Sequence, residues 1–213
     1  MLRIMSLPSF ASMRFALGTT TLVAAALTAT AAGAQGPMRV APSGRATTEV
    51  VFSPAAAAGA PATPTTPATP AKVRIDYGQP HLRGRQLNTE KLVPYGKPWR
   101  LGANDATLLV TDVDLVIGGK DLPKGRYLLQ ALPENAGWKL LIQKETGQTP
   151  MAAAMSYDAA NDVARVDLRQ QTLTTPLESF TIWLIPATGE GPAHGELRMA
   201  WGGVLLSTDW ATK

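Results

Sequence analysis

From Lys72 to the end of the chain, apolar residues recur at every second position in one short run after another, with no stretch of helical period long enough to compete. Alternation of period two puts one set of side chains on one face, so such runs read as strands with a buried side and a wet side. Val73, Ile75 and Tyr77 oppose Arg74 and Asp76; further runs cover residues 107–111, 114–117, 126–132, 138–143, 163–169, 180–185, 196–201 and 204–207. Their spacing predicts an all-β fold, a single antiparallel β-sandwich of jelly-roll or transthyretin-like type over residues 72–213. Turn residues agree: Gly118-Gly119 suits a tight hairpin, and Asn135-Ala136-Gly137 and residues 158–162 tolerate sharp bends. Met151-Ala152-Ala153-Ala154-Met155 is long enough only for one helical turn within a loop.

The inward positions predict a core of Tyr127, Leu129, Trp138, Leu140, Ile142, Val166, Leu168, Phe180, Ile182, Leu184, Leu197 and Met199. Leu128/Leu129 and Leu140/Leu141 are apolar on both faces, the pattern of central strands or strands covered by a loop or partner.

The first 34 residues follow the grammar of a secretory signal. Arg3 and Arg14 precede an uncharged apolar run over residues 15–32, and Ala32-Gly33-Ala34 offers a cleavage site before Gln35. The run is rich in Ala and Thr and so suits cleavage better than a permanent membrane span. Residues 35–71 turn to Pro, Ala, Thr, Ser and Gly, most densely in residues 53–70, and predict a flexible, solvated linker, to which Val50-Val51-Phe52 can add a strand. The predicted organisation is therefore signal peptide 1–34, linker 35–71 and β-domain 72–213, in a periplasmic or secreted protein.

No cysteine is present, which excludes disulfides, a lipid-modified cysteine, thiol catalysis and thiolate metal sites. The formal charge of +4 falls by two once Arg3 and Arg14 leave, and Lys and Arg form no cluster, so nucleic acid is not expected as a partner. Nucleophile motifs of the Gly-x-Ser-x-Gly or Ser-x-x-Lys kind are missing, and so are phosphate-cradling loops that open a helix; no catalytic residue, metal or cofactor is assigned. The two histidines, His81 and His194, lie in no short metal-ligand spacing.

Chemistry-bearing side chains concentrate instead between the first two runs, in residues 77–105. Tyr77, Gln79, His81, Arg83, Arg85, Tyr95, Trp99, Arg100, Asn104 and Asp105 are the candidate binding residues. Arg85 and Arg100 offer guanidinium forks to an anionic group, Trp99 and Tyr95 aromatic walls, and Asn104 a neutral donor and acceptor, which together fit a small anionic or sugar ligand. A structural reading stands beside this one, with the arginines paired to Asp76, Glu90 or Asp105 and pinning a long loop to the sheet. A third makes the chain a hydrolase of an envelope substrate, with His81 as base and Asp105 as orienting acid. In a purely structural module, function would fall to an exposed face around Trp183 and Trp201.

Across residues 73–210 the chain resembles the family catalogued as domain of unknown function 2911, found in exported bacterial proteins. The resemblance rests on Tyr77-Gly78-Gln79-Pro80 with Arg83-Gly84-Arg85, on Leu92-Val93-Pro94-Tyr95-Gly96, and on Trp99-Arg100-Leu101-Gly102-Ala103-Asn104-Asp105-Ala106-Thr107. Leu122-Pro123-Lys124-Gly125-Arg126-Tyr127, Pro133, Trp138 and Pro176-Leu177-Glu178-Ser179-Phe180 continue it. The family pattern has Thr where Leu101 stands and often Glu or Ala at the position of Asp105, which argues against a catalytic base there. The resemblance implies export and a β-sandwich, and no chemistry.

Overall fold

The computed structural model describes residues 38–53 and 70–213. The expected signal peptide, its cleavage point and the densest part of the linker lie outside them. Nine strands form one antiparallel sheet: β1 (Ser43–Phe52), β2 (Ala71–Pro80), β3 (Thr107–Thr111), β4 (Leu115–Ile117), β5 (Lys120–Leu122), β6 (Gly125–Glu134), β7 (Gly137–Lys144), β8 (Asp162–Pro186) and β9 (His194–Thr212). Their order is β1-β2-β3-β6-β7-β8-β9-β4-β5. One short helix, α1 (Pro150–Met155), is capped by Thr149, whose hydroxyl accepts from the Ala152 amide, and starts on a proline as a first turn allows.

β1 is longer than the sequence indicated. All ten residues pair with β2, from Ser43 opposite Pro80 to Phe52 opposite Ala71, so the amino-terminal part of the expected linker is an edge strand. Ala46, Val50 and Phe52 point to the core, and Phe52 meets Trp210 edge-on at 6.2 Å. Three apolar residues at alternating positions suffice to hold a strand that Thr, Gly and Arg otherwise disguise.

Two pairs of expected strands are single long ones. β8 pairs with β7 over residues 162–168 and with β9 over residues 169–186. Its polar middle, including Pro176, is absorbed by register shifts between Thr172 and Leu177 and between Leu177 and Thr181 rather than by a loop. A bulge removes the need for a proline amide in the ladder, which is how β8 accommodates Pro176. β9 likewise runs through Gly202, whose φ of +56° opposite Leu177 takes up the irregularity.

The Gly118-Gly119 turn is a two-residue hairpin, Ile117 facing Lys120, with both glycines at positive φ as a twist-matched turn requires. Every residue of the expected core is buried except Leu184, which is partly so. The doubly apolar strands are also explained: residues 145–161, with α1, lie over the outer face of β6 and β7. Gln130 Nε2 donates to Ser156 O, and Gln143 Nε2 donates to Asp158 O and Asp162 Oδ1, both at 2.8 Å. Leu128 and Leu141 are buried beneath this cover.

Although β8 is far from β1 and β2 in sheet order, it comes up against both. The Ile182 amide donates to Tyr77 Oη at 3.1 Å, Gln79 Nε2 to Phe180 O at 3.1 Å, and the Leu184 amide to Thr48 Oγ1 at 3.2 Å.

Candidate functional site

Most of the expected site residues build a plug. Residues 81–105 carry all five non-glycine residues with positive φ among those described: Arg83, Asn88, Val93, Leu101 and Asn104. Such conformations cost of order 1 kcal/mol each and are worst for β-branched Val93. Burial holds two of them: Val93 and Leu101 sit in the core, with Leu82, Leu87 and Leu92 packed against it.

Trp99 exchanges both backbone hydrogen bonds with Ala131, stacks on Trp201 at 5.6 Å and meets Phe180 edge-on at 5.0 Å. Its ring is therefore a wall of the core and not of a ligand pocket. Tyr77 is buried beside Phe180, and that burial pushes its phenol up from the ordinary range. Arg85 turns back on its own loop, with Nε on Leu82 O and Nη2 on His81 O. The Arg83 amide donates to Glu178 Oε1, and Arg100 Nη1 to Asn104 O at 3.1 Å. The guanidiniums of Arg85 and Arg100 thus act on backbone carbonyls and not on the carboxylates Asp76, Glu90 or Asp105.

His81 and Asp105 are not brought together. His81 Nδ1 lies 2.8 Å from Ser179 Oγ, while Asp105 Oδ2 accepts from Arg45 Nη1 at 2.6 Å. His194 is engaged elsewhere, with Nδ1 2.9 Å from Pro192 O. Among the described residues no three His, Asp or Glu side chains gather as a metal site. Trp201, expected on an exposed face with Trp183, is buried; Trp183 alone keeps 36% of its surface. Tyr95 is exposed at the loop tip, where the Gly96 amide ties the loop to Pro133 O.

One expected residue, Asp105, does line a cleft. The turn that carries it docks on β2 at a point with no room for a side chain: a Cβ on Gly78 would stand 1.8 Å from Ala103 O, and one on Gly102 2.8 Å from Gly78 O. The Ala103 amide donates to Gly78 O, and buried Thr107 Oγ1 donates to Leu101 O at 2.7 Å. The glycines at 78 and 102 permit this approach, and the turn then delivers Asp105 to the outer face of the sheet.

The cleft there has a volume of about 120 Å³. Leu108 and Leu128 form its floor, Pro150 and Ala153 of the cover one side, and the ion pairs Arg45–Asp105 and Arg126–Glu145 its rim. Asp76 enters from β2, accepting from Thr47 Oγ1 at 2.6 Å and from Arg74 through both Nε and Nη2. Burial works against its charge, but the hydrogen bonds of Arg74 and Thr47 and the fields of Arg74 and Arg45 outweigh it and hold Asp76 below the ordinary carboxylate range. Glu145 is likewise held low, first by its hydrogen bond from Arg126.

Donors are in surplus. Asp76 and Glu145 accept at both oxygens, whereas Arg45 donates only through Nη1 and Arg126 only through Nε and Nη2 among the described residues. A guanidinium carries five N–H groups, so both retain edges for an incoming acceptor. Neither Arg45 nor Arg126 stood out in sequence, because each is an isolated charge on the wet side of a strand.

A family model described as a protein of unknown function, DUF2911, matches residues 60–209. The chain belongs to this family. No curated protein and no solved structure matches it. The matched span holds every lining residue of the cleft except Arg45, and the whole plug.

Proposed function

We propose that this DUF2911 protein is an exported β-sandwich module that binds a small anionic or polyhydroxylated ligand of the cell envelope in the outer-face cleft. The packing of β8 against β1 and β2 supports the sandwich, with the two parts of the sheet turned face to face through the long β8. The observation that carries the binding reading is the cleft itself: an apolar floor of Leu108 and Leu128 under a rim of charged groups whose guanidiniums keep donors unused among the described residues. A ligand rich in oxygen satisfies those donors, and its carbon skeleton covers the leucines.

The residues 77–105 that suggested the ligand class serve this site indirectly, by fixing the turn that carries Asp105. The hydrolase reading joined His81 to Asp105, and the two side chains are engaged apart, on Ser179 and on Arg45.

A thermal-shift series on the full chain with sugars, sugar acids and inorganic anions tests the reading. A ligand at about a hundred times its dissociation constant adds roughly 2.7 kcal/mol, which raises the melting point by about 5–10 °C in a domain of this size. Thr146→Trp, at an exposed position on the cleft, fills the mouth without entering the core and is expected to abolish the shift. Equal shifts in parent and Thr146→Trp, or no shift with any member of the series at millimolar concentration, would refute the proposal.

A further inference from the structure

The charge of the cleft comes from two sources. Inside the matched span, Asp76, Asp105 and Glu145 face Arg126, with Arg74 bound to Asp76: three carboxylates against two guanidiniums. β1 lies before that span, and it adds Arg45 at the rim and Thr47 on Asp76. With Arg45 in place the acids and guanidiniums balance, and the added guanidinium is the one that keeps the most donors, since only its Nη1 is engaged among the described residues.

Pairing fixes where Arg45 stands. It is opposite Gly78, the residue on which the turn bearing Asp105 docks, so the strand register and the glycine approach together set the Arg45–Asp105 contact. Alternation along β1 sends Arg45 and Thr47 to the cleft face while Ala46, Val50 and Phe52 anchor the strand in the core. A slip of one residue would turn Arg45 away.

We infer that β1 is the specificity element of the cleft, and that Arg45 makes the preferred ligand a sugar acid, a polyol bearing one carboxylate. The inference rests on the binding reading above and names its ligand class. The ligand's carboxylate takes the free Nε and Nη2 edge of Arg45 as a planar, two-point contact. Its hydroxyls donate to the remaining oxygen of Asp105 and accept from the free Nη1 of Arg126, and its ring carbons lie on Leu108 and Leu128. Asp76 needs no ligand donor, being saturated by Arg74 and Thr47.

The test is isothermal titration of the full chain with D-glucuronate, D-galacturonate and D-glucose, run on the parent and on Arg45→Gln. Charge-assisted hydrogen bonds of this kind predict that the parent binds at least one uronate about tenfold or more tightly than glucose. Arg45→Gln, at a side chain 74% exposed, keeps the fold and is expected to lose the preference, binding uronate and glucose alike. A uronate preference that survives in Arg45→Gln, or a parent that binds glucose as well as uronate, overturns the inference and leaves the cleft reading standing. A parent that binds neither sugar nor uronate but is shifted by another ligand through a Thr146→Trp-sensitive site overturns it too. Loss of all cleft binding removes both.

Discussion

Phe180 sits at the centre of an aromatic cluster that joins the plug to the sheet, and replacing it with leucine isolates what the cluster contributes. Its ring is 5.6 Å from Tyr77, 5.0 Å from Trp99 and 6.1 Å from Trp201, each in edge-on geometry, and the side chain is 2% exposed. Leucine keeps most of the apolar burial, so a core that values only hydrophobic volume would lose less than about 1.5 kcal/mol. Three edge-to-face pairs at roughly 0.5–1 kcal/mol each add about 1.5–3 kcal/mol to that, so the expected loss for Phe180→Leu is about 2–4 kcal/mol. Urea unfolding with an unchanged m-value measures this directly, and the melting point should fall by roughly 5–10 °C. Hydrogen exchange gives a second readout. The Trp99 and Ala131 amides, which bond each other's carbonyls, should exchange faster in Phe180→Leu, while those of the β6–β7 ladder keep the ratio set by global stability. A loss below 1.5 kcal/mol with unchanged protection at Trp99 and Ala131 would refute the idea that this cluster holds the plug in place.

Two further tests address the cleft's construction. Gly78→Ala places a methyl on Ala103 O and is expected to cost several kcal/mol or prevent folding, whereas Gly44→Ala, with open space around its Cβ, should stay within about 0.5 kcal/mol in the same urea titration. Asp76 and Glu145 are both held below their ordinary range, so the stability they contribute is complete above about pH 5 and drains as pH falls through their folded-state values. Urea midpoints should therefore drop between about pH 5 and pH 2, and Asp76→Asn should flatten that slope; an unchanged slope would show that Asp76 gains nothing from its charge in the fold.

The strands and the core were legible because alternation is a local signal: Val73, Ile75 and Tyr77 announce their face without help from the rest of the chain. The cover over β6 and β7 was legible in the same way, from leucines on both faces. Connectivity within β8 and β9 was not, because Pro176 and Gly202 carry the same local chemistry in a bulge as in a turn, and only the partner strand distinguishes them. The site was legible only in part. Aromatic and cationic residues in 77–105 drew attention to a segment that is special for a conformational reason, its positive-φ turns and glycine contact, while Arg45 and Arg126 gain their meaning from pairing across sequence separations of 60 and 19 residues. No local pattern encodes those pairs.

The unbroken run of β8 limits how this architecture can be taken apart. Its first seven residues are held by β7 beneath the cover and its remainder by β9, so one stretch of backbone is structural property of both. No cut within it leaves two pieces that each retain a complete ladder. Recombination between relatives would therefore have to exchange the chain from β7 through β9 as a block, and new ligand preferences would more readily arise at pieces attached from one side only, of which β1 is the clearest.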